Sequence, residues 1–289
     1  MITTLERKLG NTIELTLLIP WSHIEATYKK MVDALLAQVE LPGFRKGKAP
    51  RDLAEKQLDR TKVYEEVIRE IIPKAYTDAL TEHQLRPIIN PQIELVEAQE
   101  SKDWKVKAVT AEKPKVTLGD YRKAIATLHT EKKNEIWVPG QTKPAEEKKE
   151  TGPTVAEVLE TLYKAVIVDI APVIIENEVN RMLSSLLNET QKLGLTVDSY
   201  LQTQQKTKES LRTEYEAQAK KTLALEFALE EIAEQEKVTV SETEIDEVVK
   251  NAKTESEKSE LGKQKYYLAS LLRRQKTLNS LLTPAVVTT

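Results

Sequence analysis

The chain of 289 residues carries 43 Lys+Arg against 46 Asp+Glu, a formal net charge of −3, and only 5% of it is aromatic. That balance excludes a general nucleic-acid binder with a basic face, and the scarcity of aromatics excludes a base-stacking surface or aromatic cage. The complete lack of cysteine excludes disulfides and thiolate metal sites.

The length suits roughly two domains. In the stretch NTIELTLLI at 11–19, Ile13, Leu15, Leu17 and Ile19 alternate with Glu14 and Thr16, which predicts a half-buried strand. Gly10-Asn11 predicts a hairpin turn with residues 3–9 as the partner strand. After Pro20, Ile24, Tyr28, Met31 and Leu35 recur at helical spacing, so 21–39 is predicted as an amphipathic helix ending at Pro42-Gly43. Pro50 is suited to the first position of the next helix, where its missing N–H costs nothing. A longer helix follows with Val63, Val67, Ile71, Ala75 and Ala79, and Pro73 inside it predicts a kink. RPIINPQIELVEA and DWKVKAV return to strand character, closing a small α+β domain near Glu112.

Residues 113–153 hold many charges, prolines and glycines. Their second half predicts a solvated linker. Beyond Thr154 helical signals dominate. Pro172 opens a helix carrying Ile175, Val179, Met182 and Leu186, with Gly194 as its stop. Thr207 is the expected N-cap of a long helix with Leu211, Leu225, Leu229 and Ile232. Ser241 and Glu244 form a capping-box pattern. The last helix carries Tyr267, Leu268, Leu271, Leu272, Leu278 and Leu282. The expected fold class is therefore an α+β N-terminal domain, an antiparallel sheet with helices, followed by an all-α, elongated C-terminal domain.

Catalytic chemistry is not legible. His23, His83 and His129 are scattered with no ligand-spaced partner, and the carboxylates read as solvated helix faces. GFRKGK is not a phosphate-binding P-loop: three residues, not four, separate Gly43 from Gly47-Lys48, and Ala49 follows where Ser or Thr is required. No apolar signal core starts the chain and no run nears the roughly 20 apolar residues of a membrane span, so a cytoplasmic protein without a membrane partner is expected.

The motif LPGFRKGKAP at 41–50 stands out. Its prolines restrain both ends, so less entropy is lost on docking. Phe44 is an apolar anchor, and Arg45, Lys46 and Lys48 form a cationic rim able to pair with carboxylates or phosphates. On these residues alone, Phe44 either enters a partner's pocket or folds back on its own domain.

GFRKGKAP, set between a strand pair and IPKAYTDALTEHQLRPIINP, resembles the signature of trigger factor, the ribosome-bound bacterial chaperone family. The resemblance covers 1–121 well. VIIENEVNRMLSSLLNETQKLGLTVDSYLQ with ALEEIAEQEKVTVSETEIDEVV resembles the family's helical C-terminal domain. It implies a ribosome-binding domain at 1–121, a linker at 122–153 replacing the family's FKBP-type isomerase domain, and a helical client-binding domain at 154–289. The region before Pro172 looks shortened, so one client-cradling arm is expected to be reduced. By the same resemblance Phe44, Arg45 and Lys46 are the docking triplet, in a frame of Gly43, Gly47, Lys48 and Pro50. Their implied partners are the large-subunit protein beside the exit tunnel and nearby ribosomal RNA. Unfolded nascent polypeptides would lie on apolar stripes including Ile175, Val179, Met182, Leu186, Leu225, Leu229, Leu268 and Leu271. The reading implies no cofactor, no metal and no enzyme activity. Self-association away from the ribosome is compatible with it. The alternatives are a holding chaperone or assembly factor free of ribosomes, akin to SurA-type helical domains, an RNA-binding module using the basic loop, and a prolyl isomerase. The missing signal core, the acidic balance and the short central interval count against these in turn.

Overall fold

Hairpin, helices and returning strands in the first part of the chain build a four-stranded sheet backed by helices. The computed structural model describes residues 2–38, 42, 44–45, 50–56, 58–133, 152–252 and 254–283. Strands β1 (Ile2–Lys8) and β2 (Thr12–Ile19) join through a tight turn at Leu9–Asn11. Gly10 and Asn11 adopt φ of 68° and 59° there, the left-handed region that the Gly-Asn pair predicts. Helices α1 (Trp21–Leu36), α2 (Arg51–Glu55) and α3 (Arg60–Glu82) precede β3 (Gln92–Glu97) and β4 (Trp104–Ala111). The sheet order is β1-β2-β4-β3, all antiparallel, with Leu15 opposite Ala108 and Leu17 opposite Val106.

The alternation of β2 sends Ile13, Leu15, Leu17 and Ile19 to one face, where they meet Ile24, Val67, Ile71, Ala75 and Ala79 from the helices. That helix-on-sheet layer is the core of the first unit. Pro73 does not end its helix: α3 runs on to Glu82. Pro50 is the residue just before α2, not its first, and its carbonyl accepts from the backbone N–H of Ala54.

The chain divides into two units, Met1–Lys113 with Ala171–Ile174, and Pro114–Ile170 with Ile175–Thr289. The described part of the second unit is largely helical. It contains β5 (Val116–Thr117), α4 (Tyr121–Lys133), α5 (Val155–Ala165) and β6 (Ile167–Val168), then most of α6 (Pro172–Lys192). These are followed by α7 (Val197–Thr203), α8 (Lys208–Gln235), α9 (Glu242–Lys250), α10 (Glu255–Lys263) and α11 (Lys265–Leu282). Thr154, Thr207, Ser241 and Thr254 each cap a helix through a reciprocal box, satisfying N–H groups that the first turn leaves open. Gly194, with φ of 69°, follows α6 as its expected stop.

One expectation needs correction. Residues 122–133 are not linker but helix, and they belong to the core of the second unit. Leu118, Tyr121 and Ile125 are buried in a cluster with Val158, Leu162, Leu229, Ile232 and Leu281. The apolar positions recur every three or four residues, a stripe masked by the lysines, arginine and glutamate between them. Polar contacts fix the same helix: the Tyr121 hydroxyl donates to Glu236 Oε1 at 3.0 Å, and His129 Nε2 donates to the carbonyl of Leu281 at 3.0 Å. Burial pushes the Tyr121 phenol up. Residues 134–151 of the expected linker lie outside the described residues.

Candidate docking surface

The loop between α1 and α2 is held by helices at both ends. Ile24 and Val32 anchor α1 on the core, turning Asp33 outward near its C-terminal end. On the other side α2 buries only Ala54. Arg51, its first residue, reaches back across the stem, with Nη2 2.9 Å from Asp33 Oδ1 and Nε 2.5 Å from Glu55 Oε1.

Of the motif, Pro42, Phe44, Arg45 and Pro50 are described, and all are exposed. Phe44 leaves 41% of its surface open. Gly43, Lys46, Gly47 and Lys48 lie outside the described residues. Some cations on the neighbouring helices are matched, Lys29 with Glu25 at 2.6 Å, Lys30 with Glu70 at 2.7 Å and Arg69 with Glu66 at 2.8 Å. Arg45 has no carboxylate partner among the described residues. An exposed phenylalanine beside an unmatched guanidinium is chemically an apolar plug with a charge-assisted hydrogen-bond donor at its side. Beside the stem, Trp21, Tyr28, Val32, Leu58 and Tyr64 line a cleft of about 450 Å³. Its aromatic wall continues from Tyr28 to Tyr64 and Trp104, with ring centroids 4.9 and 5.9 Å apart.

The histidines have local roles. His23 is exposed on α1, His83 Nε2 lies 3.2 Å from Thr3 Oγ1, and His129 is the buried donor to Leu281. Among the described residues no group of three or more His, Cys, Asp or Glu could hold a metal ion, and no helix is long and apolar enough to cross a membrane.

The apolar stripe residues of the second unit separate into two sets. Val179, Leu186, Leu229 and Leu268 are buried, because packing its apolar face is what stabilises a helix in a protein. Ile175, Met182 and Leu225 are half-buried, and Leu271 is exposed. Sequence periodicity cannot make this distinction, since every residue on a stripe carries the same signal. It also passed over Leu187, Leu193, Leu195 and Tyr266, which are exposed, Leu193 by 74% and Tyr266 by 96%, and it does not tell that Tyr267 of the last stripe is exposed as well. The Leu-Gly-Leu run at 193–195, apolar residues around a helix stop, was the legible sign of the first group.

The family model described as "Bacterial trigger factor protein (TF)" matches residues 1–136, and that of its C-terminus matches 140–283. This chain belongs to the trigger factor family. The trigger factor of Natranaerobius thermophilus is 34% identical over 122 residues, covering 42% of this chain and 27% of that protein. The Staphylococcus carnosus trigger factor is 32% identical over 134 residues, 46% of this chain and 30% of that one. The matched stretches thus span under a third of these relatives' length. A solved structure reported under promiscuous substrate recognition in folding and assembly activities of the trigger factor chaperone matches with a TM-score of 0.62. It is 14% identical, over 98% of this chain and 99% of that one, and shows a shared fold: an antiparallel sheet with helices followed by a helical region.

Proposed function

We propose that this trigger factor family chaperone acts without ATP, docks at the ribosomal exit through the 41–50 loop and shields nascent chains in the cytoplasm. The observation that carries the docking is the exposed Phe44 beside Arg45, whose charge has no carboxylate partner among the described residues. The surrounding Lys46 and Lys48 would extend the cationic rim toward large-subunit protein and RNA. Client holding draws support from Leu187, Leu193, Leu195, Tyr266, Tyr267 and Leu271, apolar side chains left open by the second unit. Exposed apolar surface among charges is what a transient, ATP-free grip on unfolded chains requires. We further propose that the chain does not catalyse prolyl isomerisation. Between the end of α4 and the start of α5 only residues 134–154 intervene, far short of the roughly 100 residues of a typical domain.

Co-sedimentation with ribosomes tests the docking. Replacing Phe44, Arg45 and Lys46 with alanine is expected to abolish it while leaving the melting profile and suppression of aggregation intact. The remaining binding of the parent should fall with salt, as exposed charges are screened within about 8–10 Å near physiological ionic strength. Unchanged co-sedimentation of the triple variant overturns the assignment.

A further inference from the structure

We infer that Asp33 and Arg51 are positioning residues for the docking loop: their ion pair is the clamp that closes its stem. The inference rests on the docking reading above and deepens it. Asp33 lies three residues before the end of α1, and Arg51 opens α2, so the pair at 2.9 Å joins the two ends of the intervening segment directly. The same guanidinium is held from the other side by Glu55 at 2.5 Å, which fixes its plane.

The weight of the pair comes from how little else secures α2. A five-residue helix cannot persist through its own hydrogen bonds, because nucleation is unfavourable and propagation too short to offset it. Ala54 is its one buried residue, and Leu53 remains 48% exposed. An alanine supplies little burial, so the cross-helix ion pair and the fixed φ of Pro50, −55°, carry much of the geometry. Phe44 and Arg45 hang from this stem. A stem that opens spreads them over more orientations, and docking must then bear the ordering cost.

The clamp makes a prediction opposite to that of simple charge attraction. Asp33→Asn removes a negative charge beside a cationic loop, so attraction alone would tighten binding to an anionic surface. Clamping requires it to weaken binding. An exposed ion pair of this kind supports a loss of about two- to fivefold in affinity. The experiment measures binding of the full chain to purified ribosomes at low salt, together with melting temperature and amide exchange across 51–55. Asp33→Asn and Arg51→Gln should each weaken binding by that factor, and the double variant no further, since both remove one interaction. Asp33→Glu should recover most of the affinity. Faster exchange at Leu53 and Ala54 with an unchanged melting temperature would mark the effect as local to the stem. Unchanged or tighter binding by Asp33→Asn, or additive losses in the double variant, overturns the clamp. The triple alanine variant at 44–46 is measured alongside. If it loses binding while Asp33→Asn does not, the clamp alone fails; if it keeps binding, the docking reading fails and takes the clamp with it.

Discussion

Ile125→Ala decides whether α4 is a structural member of the second unit or an appendage. Ile125 is 5% exposed and packs in the cluster that includes Tyr121, Val158, Leu162 and Ile232. The substitution removes three carbons, about 2.4 kcal/mol at roughly 0.8 kcal/mol per buried methylene. The cavity left behind adds to this, giving about 3 kcal/mol, within the range of about 2–5 kcal/mol for such truncations. For a unit of this size the melting temperature should fall by roughly 6–12 °C. Scanning calorimetry of the full chain reads the shift, and hydrogen exchange locates it. Protection should drop across α5 and α8 as well as α4, because the deleted atoms belong to a shared core. A shift below about 1 °C, or lost protection confined to 121–133, would refute the placement. Lys123→Ala, on the exposed side of the same helix, should stay within about 0.5 kcal/mol of the parent.

Gly119 has φ of +54°, and a Cβ there would sit 2.5 Å from the carbonyl oxygen of Ala165. Gly119→Ala should therefore destabilise by more than Gly194→Ala, where φ is +69° but no atom lies within 4 Å, and thermal melts of the two variants give the order. Glu157 and Glu244 are held at about 2, first by hydrogen bonds from Lys132 and Lys276 and then by the backbone N–H groups of Thr154 and Ser241. The unfolded chain takes up protons at the ordinary value of 4.5, so their contribution is fully present above it and is lost as pH falls toward 2. Melting curves from pH 6 to pH 2 should show Lys276→Gln losing less stability than the parent over that interval; equal slopes would count against the Lys276 contribution.

Much of the first unit is legible in the sequence because a sheet with one covered face writes its pattern at period two. Ile13, Leu15, Leu17 and Ile19, and Trp104, Val106 and Ala108, are all buried as their alternation implies. Capping signals are as direct, since Ser241 and Glu244 act on neighbours three residues away. What failed depends on contacts far along the chain. Tyr121, Ile125 and Leu128 form a helical stripe, but a stripe does not name its partners until Val158 and Ile232 are brought against it. Pro73 lies inside α3, which Val67, Ile71, Ala75 and Ala79 anchor on both sides of it. The 41–50 motif is visible in the sequence, yet Asp33 is not part of it, because an ion pair across a loop leaves no spacing signature.

The end of α4 and the start of α5 meet at one spot. Lys132 Nζ, near the end of α4, lies 2.7 Å from Glu157 Oε1 at the start of α5, and just outside these helices Val116 of β5 pairs with Val168 of β6. The two flanks thus behave like a socket already closed around its own edges. Whatever is strung between them adds only a logarithmic entropy, about 0.6 kcal/mol for each doubling of length. No core residue has to change with the length of what is placed there. A domain placed at this junction would leave the frame that carries it untouched.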